Sequence, residues 1–350
     1  MKILLPYDLR GGRKFEDPII TGGIEKFCNS IYENFDDVKV VEIPNSSKLS
    51  SKDRIYYSIL IKNSAEDYGA DIIISNWTQA VFAGANIVNS QIPLMVVCHH
   101  HPSVSSVIGK FSRINENKHS LFFVSPYQKN LFDKMAKRIK LPPIIFDGYL
   151  NSGFVSGDKP KLVEPEWDCG TIGRCNTLKK PFILKELTKD TDLKTLVITN
   201  SWNADHADYP YQKRNKHWDD VLWDAPYNEV MDHISRCRTY FSTWNKETWG
   251  ITALEALSCG LPIILNCDKD GDHASETLPA DASHFVKIPD RDGDALINAI
   301  KSFENVDRKE IQEMTWEKHN LERWKSLMED AINKTIDKFK INLSLREFMI

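Results

Sequence analysis

The stretch ETWGITALEALSCGLPIIL, residues 247–265, sets two carboxylates around a glycine. Gly250 is followed by helix-forming residues, and Gly260 with Pro262 ends the run. Residues 251–258 therefore read as a short helix behind a loop that carries Glu247. The first N–H groups of such a helix, at Ile251 and Thr252, favour an anion, and Gly250 lets a ligand come close to the backbone. Glu255 lies four and three residues beyond Ile251 and Thr252, so it shares their face, about 5 Å deeper along the axis. Glu247 stands on the other side of the helix start. A carboxylate can accept from two neighbouring hydroxyls at once. An anion between two carboxylates matches the layout of a nucleotide-sugar: ribose diol, diphosphate, sugar hydroxyls. The plainer alternative, a surface Glu247 and a locally paired Glu255, leaves the glycine, the helix start and the Gly-x-Pro stop unrelated.

Three other stretches carry chemistry-bearing residues. TGGIEKF (21–27) places Gly22 and Gly23 before a helix, which by itself reads as a plain turn. PLMVVCHHHP (93–102) is an apolar strand running into His99, His100 and His101. GTIGRCNTLKKP (170–181) presents Arg174, Lys179 and Lys180 after a strand; a surface ion pair would account for Arg174 at little energetic value. The three histidines raise a metal reading. Adjacent side chains in an extended segment point to opposite faces, however, and no carboxylate or cysteine follows at ligand spacing. We read no metal site there.

Together and in this order, the four stretches resemble the signature of retaining glycosyltransferases of the GT-B fold. This is the large "glycosyl transferases group 1" family, which includes glycogen-synthase-like and lipopolysaccharide-type transferases. The resemblance covers most of the chain, and the 247–265 motif is its specific part. It implies an α/β architecture of two tandem doubly wound, Rossmann-like domains facing a central cleft. It implies that Glu255 holds the ribose hydroxyls and Glu247 contacts the donor sugar. The amides of Ile251 and Thr252, after Gly250, would hold the distal phosphate and the sugar. Arg174 and Lys179 would neutralise the diphosphate as the glycosidic bond breaks. Lys180 stands where the family often has glycine, so either lysine could reach the phosphates. Gly22 and Gly23 would bring the first helix to the phosphates, and His99, or His100 one register on, would contact the donor sugar. The long charged loop DLRGGRKFEDPI (8–19) departs from the family. The implied activity is sugar transfer from a nucleoside-diphosphate-sugar, a UDP-sugar foremost, to an acceptor hydroxyl with retention and without a metal. The donor is a co-substrate, and no cofactor is implied.

The elements that must position these residues are legible as an alternation. Apolar runs at 2–6, 38–44, 71–75, 94–99, 121–125 and 143–146 are separated by amphipathic segments such as 23–35 and 125–139. After a Gly/Pro/Ser-rich linker at 151–168 the alternation resumes at 168–173, 195–199, 220–224, 239–243, 261–266 and 284–289. Continuously apolar strands joined by helices indicate parallel sheets covered on both faces. We expect an acceptor-side domain over 1–155 and a nucleotide-sugar-binding domain over 165–320, with a helix at 322–350 packing back on the first. A helical, charged segment at 308–340 would show Trp316, Trp324 and Leu327 on one face.

A chain of 350 residues suits two domains, and a formal net charge of −4 marks neither a nucleic-acid nor a polybasic membrane binder. Seven cysteines, an odd number with no C-x-x-C pair, read as reduced thiols in a cytoplasmic setting. MKILLPYD reads as a first strand rather than a leader, and no apolar run is long enough for a membrane span. A dehydrogenase would need G-x-G-x-x-G after a strand, which LRGGRKFEDP does not supply. A sugar-nucleotide epimerase or a non-catalytic binder would use the same donor contacts. The acceptor stays open: a saccharide, a small molecule, or a hydroxymethylated DNA base met by the basic clusters at 134–140 and 211–218. CDKDGD (267–272) and DRDGD (290–294) look like metal loops. Counting from Asp268 or Asp290, though, the sixth position is not glycine, and the twelfth is Pro279 or Lys301. Transfer should therefore persist in excess chelator; loss of activity restored by added divalent metal would overturn this.

Overall fold

The computed structural model describes residues 1–9, 15, 23–44, 48–76, 81, 87, 90–99, 119–141, 144–175, 179–200, 220–278 and 281–347. Two compact units form: residues 1–153 with 322–350, and residues 154–321.

The first unit is built on β1 (Lys2–Leu9), β2 (Asp37–Pro44), β3 (Ile72–Ser75), β4 (Leu94–Cys98), β5 (Ser120–Phe123) and β6 (Gly148–Tyr149). All pairings are parallel, in the order β2-β1-β3-β4-β5-β6. β3, β4 and β5 are buried along their whole length, as their unbroken apolar sequences require. Helices α1 (Gly23–Asn34), α2 (Ser51–Tyr68) and α3 (Pro126–Arg138) supply the crossovers. Their ends follow local chemistry. Ser50 and Ser125 accept from the amides of Asp53 and Gln128, Pro126 opens α3, and Gly69 at φ 65° closes α2.

The second unit repeats the plan. It contains β7 (Trp167–Ile172), α4 (Ile183–Thr188), β8 (Thr195–Thr199), β9 (Val221–Trp223), α5 (Tyr227–Ser235), β10 (Cys237–Ser242), α6 (Ile251–Ser258), β11 (Ile263–Asn266), β12 (Phe285–Ile288), α7 (Gly293–Ser302) and α8 (Arg308–Lys318). Its sheet is also parallel throughout, ordered β12-β11-β10-β7-β8-β9. From β7 the chain builds outward through β8 and β9, then returns to β7's other side with β10. The strand order reverses between β7 and β10, and in open parallel sheets ligands bind outside the carboxyl ends at such a point.

Three expectations are corrected. The apolar run at 143–146 supplies no strand residue within its described part, 144–146; the edge strand is Gly148–Tyr149. Ile145 is exposed and Phe146 lies under the Lys129 ammonium. The register is set by Asp147, whose amide donates to the Leu121 carbonyl (2.8 Å) and whose carboxylate accepts from the Leu121 amide (2.9 Å). Residues 151–168 are irregular as far as Glu166, but not a loose tether: Ser152, Phe154 and Val155 are buried. Finally, the helical tail breaks at His319–Asn320, so Trp316 and Trp324 do not share a face. Trp316 donates to the Ser258 carbonyl in the second unit (3.1 Å), Trp324 to the Asn151 carbonyl in the first (3.2 Å), and Leu327 is partly exposed.

The last helix, α9 (Leu321–Glu347), closes the first unit. Lys338 donates to the His119 carbonyl (2.7 Å) and to both oxygens of Asp147 (2.9 and 3.1 Å). Asp147 thus ties β5, β6 and α9 together. Removing it leaves an amide and an ammonium without that acceptor. Asp147→Ala should cost about 2 kcal/mol and lower the thermal midpoint of the first unit by about 5 °C. An unchanged midpoint in scanning calorimetry would show that the contact carries no stability.

Candidate active site

The carboxyl ends of β7 and β10 lie side by side, with Thr239 paired to Cys169 and Tyr240 to Gly170. The loops leaving them carry the residues singled out by sequence. Gly173 and Arg174 follow β7, and Lys179 closes the described part of that loop. Trp244 to Gly250 follow β10 and lead into α6. Lys179 forms an ion pair with Glu247, its ammonium 4.2 Å from the centre of the Trp244 ring. The Thr243 hydroxyl donates to the Lys179 carbonyl. The lysine is therefore held at backbone and side chain by one turn. Its neighbour Lys180 adopts φ 43°, a left-handed conformation that favours glycine. Lys180 thus fills a glycine's backbone role, while Lys179 faces the carboxylate.

The start of α6 is built by close approach. A Cβ at Gly250 would overlap the Ser275 hydroxyl and lie 3.0 Å from the Ala253 and Ser275 Cβ atoms. No side chain caps the helix. The expectation for Ile251 is narrowed, because its N–H donates to the Trp249 carbonyl (3.1 Å), a use the sequence does not reveal. The Thr252 hydroxyl lies 2.7 Å from the buried Tyr240 hydroxyl, which also approaches the Ile172 carbonyl at 3.4 Å. Glu255 is half-buried one turn on. Burial, then the charge and hydrogen bonding of Glu255, push the phenol of Tyr227 up, while its ring stays half-exposed at the start of α5. Behind α6, Gly260 at φ 76° passes beneath the Arg308 carbonyl, where no side chain would fit.

Behind this turn lies a histidine that sequence reading did not flag. His273 is fully buried. The Ser275 amide donates to its Nδ1 (3.0 Å), so the neutral ring carries its proton on Nε2, which donates to the Trp244 carbonyl (3.1 Å) beside the Ser242 hydroxyl (3.2 Å). Burial holds the imidazole well below its ordinary range, at about 4, and the nearby Lys179 ammonium acts in the same direction. Asn266 extends the support, donating to the Thr243 carbonyl (2.8 Å) and to Asp290 (2.9 Å).

In the first unit, His99 follows β4 directly. Its Nδ1 meets the Ser152 hydroxyl at 3.2 Å and its ring packs edge-on against Phe27. Gly23 opens α1. Gly22, His100, His101 and the cluster at 211–218 lie outside the described residues. In the cluster at 134–140, Lys134, Lys137, Arg138 and Lys140 form the solvated side of α3 and the turn after it. The carboxylates of Asp268, Asp270 and Asp272 gather within 4.8 Å of one another. Asp268 accepts from the amides of Asp270 (2.9 Å) and Asp272 (3.2 Å), which accounts for the turn without an ion. All seven thiols are buried, and burial pushes Cys169 and Cys259 up to about 12. Such thiols are poor nucleophiles.

Residues 161–316, nearly the whole second unit, match the family described as glycosyl transferases group 1. Over these 156 of its 350 residues the chain is similar to this family. It is an enzyme of the glycosyltransferase class, with the two-unit parallel-sheet fold that the resemblance implied. No curated protein matches it in sequence. Among solved structures it is similar to Anabaena Alr3699/HepE in complex with UDP and glucose, at 15% identity and TM-score 0.68 over 95% of this chain and 100% of that one. It is also similar to the lipopolysaccharide outer core galactosyltransferase WaaB, at 15% identity and TM-score 0.65 over 95% and 99%. The sucrose-phosphate synthase of Thermosynechococcus elongatus gives 14% and 0.60 over 100% and 99%. At these identities the likeness is one of fold. In this glycosyltransferase no described helix is long and apolar enough to cross a membrane.

The buried His273 makes a stability prediction. Its folded value, about 4, lies below the unfolded value near 6.5, so between those pH values the unfolded chain binds the extra proton. Stability from this group is complete above pH 6.5 and falls as pH drops towards 4, by about 3 kcal/mol in all. His273→Gln should flatten that acid limb in denaturant titrations of the second unit. The same slope in both proteins would show that His273 does not titrate in this way.

Proposed function

We propose that the enzyme transfers a sugar from a nucleoside-diphosphate-sugar, a UDP-sugar foremost, to an acceptor hydroxyl with retention of configuration. The observation that carries this is the gathering of Lys179, Glu247 and the start of α6 at the switch point of the second sheet. HepE, similar in fold, has been solved with UDP-glucose. Donor binding would fall to the second unit and acceptor binding to the first. Residue 155 would end the acceptor domain and 165 begin the donor domain.

Glu255 would take the ribose hydroxyls, and the Thr252 amide with the backbone at Gly250 the distal phosphate. The breaking bond joins the anomeric carbon to the diphosphate oxygen. As it lengthens, positive charge spreads over the sugar ring and negative charge grows on the leaving phosphate. Arg174 and Lys179 would be the cations that meet this charge, and fixed cations are what electrostatic preorganisation uses to lower such a barrier. Glu247 would hold sugar hydroxyls rather than attack the anomeric carbon. The acceptor oxygen enters on the face the diphosphate leaves, its proton passing to the departing phosphate oxygen. No protein nucleophile is needed and charge balances.

A panel of nucleotide-sugars should raise the thermal midpoint selectively, with the best donor then tested against acceptors. With that donor, Glu255→Gln should raise the apparent KM about tenfold or more, a charged hydrogen bond's worth. Lys179→Ala should mainly lower kcat, by about a hundredfold, because its charge counts most in the transition state. Wild-type kinetics in Lys179→Ala would remove the lysine from the scheme. A donor inverted at one centre with no acceptor present would indicate an epimerase.

A further inference from the structure

We propose that Trp244 is a positioning residue for Lys179, its indole face fixing where the ammonium stands when the diphosphate arrives. The proposal rests on the reading of Lys179 as the diphosphate's cation.

The geometry is specific. The ammonium lies 4.2 Å from the Trp244 ring centroid, well inside the range of a cation–π contact. Glu247 pairs with the same ammonium; the two side chains, of Lys179 and Glu247, are 28% and 12% exposed, so the group is only partly reached by water. The backbone that carries the indole is itself anchored. The Trp244 carbonyl accepts from His273 and the preceding carbonyl, of Thr243, accepts from Asn266. The Thr243 hydroxyl in turn fixes the Lys179 backbone. A lysine with four rotatable bonds is thus confined before any ligand is present, and its ordering need not be paid on binding.

An aromatic face also does what a second carboxylate could not. It attracts the charge through the ring quadrupole but takes no N–H in a directed bond, so the ammonium keeps its donors for phosphate oxygens. If Glu247 turns to donor hydroxyls, Lys179 loses its carboxylate partner. Trp244 then remains to hold the charge beside the leaving group.

The test compares Trp244→Leu, which removes the ring, with Trp244→Phe, which keeps one. In protein labelled with 13C-lysine, the Lys179 ε-methylene resonance should show an upfield ring-current shift, told apart from those of Lys2, Lys39 and Lys129, which also lie over aromatic rings. Lys179→Ala should remove it, Trp244→Leu should abolish it and Trp244→Phe should largely retain it. With the best donor, Trp244→Leu should lower kcat about tenfold with little change in KM, and Trp244→Phe should stay within about threefold of wild type. The proposal is overturned if the Lys179 resonance is not shifted in the wild type, if Trp244→Leu keeps wild-type kcat, or if Trp244→Phe falls as far as Trp244→Leu. The shift in the wild type and in Trp244→Phe decides the matter even if the leucine variant fails to fold. Wild-type kcat in Lys179→Ala would sink the reading of Lys179 along with this one. An impaired Lys179→Ala with an unshifted Lys179 resonance in the wild type would sink this proposal alone.

Discussion

One buried imidazole holds the candidate site in shape. His273 accepts from the Ser275 amide and donates to the Trp244 carbonyl, with the Ser242 hydroxyl alongside. Those contacts join the end of β10, the turn that grips Lys179, and the segment on which Gly250 rests. The constraint is two-sided. Ser275 stands so close to Gly250 that any side chain there would displace it. A protonated imidazole would carry a charge into a site closed to solvent and would turn Nδ1 into a second donor facing the Ser275 amide. The start of α6, the position of Trp244 and the approach of Lys179 to Glu247 therefore depend on one neutral ring.

Sheet topology supplies the other half of the arrangement. Lys179 and Glu247 are 68 residues apart in sequence, yet they meet because β10 pairs with β7 rather than with β9. Their loops leave the same end of adjacent parallel strands. Parallel pairing requires long crossovers, and the crossovers here put helix starts at that end. A short helix such as α6 contributes little stability alone. It is fixed instead by burial of Ala253, Leu254, Ala256 and Leu257 and by its terminal turn, where Gly260 fits beneath Arg308.

What the sequence made legible follows this division. The loop, helix and stop at 247–262 were readable because glycine, helix and Gly-x-Pro punctuation act within a few residues. The alternation of buried strands was readable for the same reason. Strand order was not, and with it went the contact between Lys179 and Trp244: a tryptophan three residues before Glu247 carries no mark of a lysine on another strand's loop. His273 was illegible because it sits in CDKDGDHASE, a polar run that reads as a surface turn, whereas its ring is enclosed. The run at 143–146 reads as a strand on apolar content alone, but the bonds of Asp147 to Leu121 and Lys338 set the sheet edge beyond it. Trp316 and Trp324 have spacings that suit one face, and the helix break at His319 leaves only a weak trace in composition.

The ion pair between Lys179 and Glu247 illustrates how such a site can be ordered without being locked. A partly exposed pair is worth little on its own, since Coulomb attraction, desolvation and side-chain ordering nearly cancel. That weakness suits a site whose two charges are both meant for a ligand. On the proposed reading, phosphate oxygens replace the carboxylate at Lys179 and sugar hydroxyls replace the ammonium at Glu247, so neither group is left bare when the pair opens. A stronger pair would oppose the ligand, and no pair would leave a flexible lysine to be ordered at the moment of binding. The neutral parts of the cradle, the Trp244 face and the carbonyls tied to His273 and Asn266, set the geometry while the charges stay exchangeable.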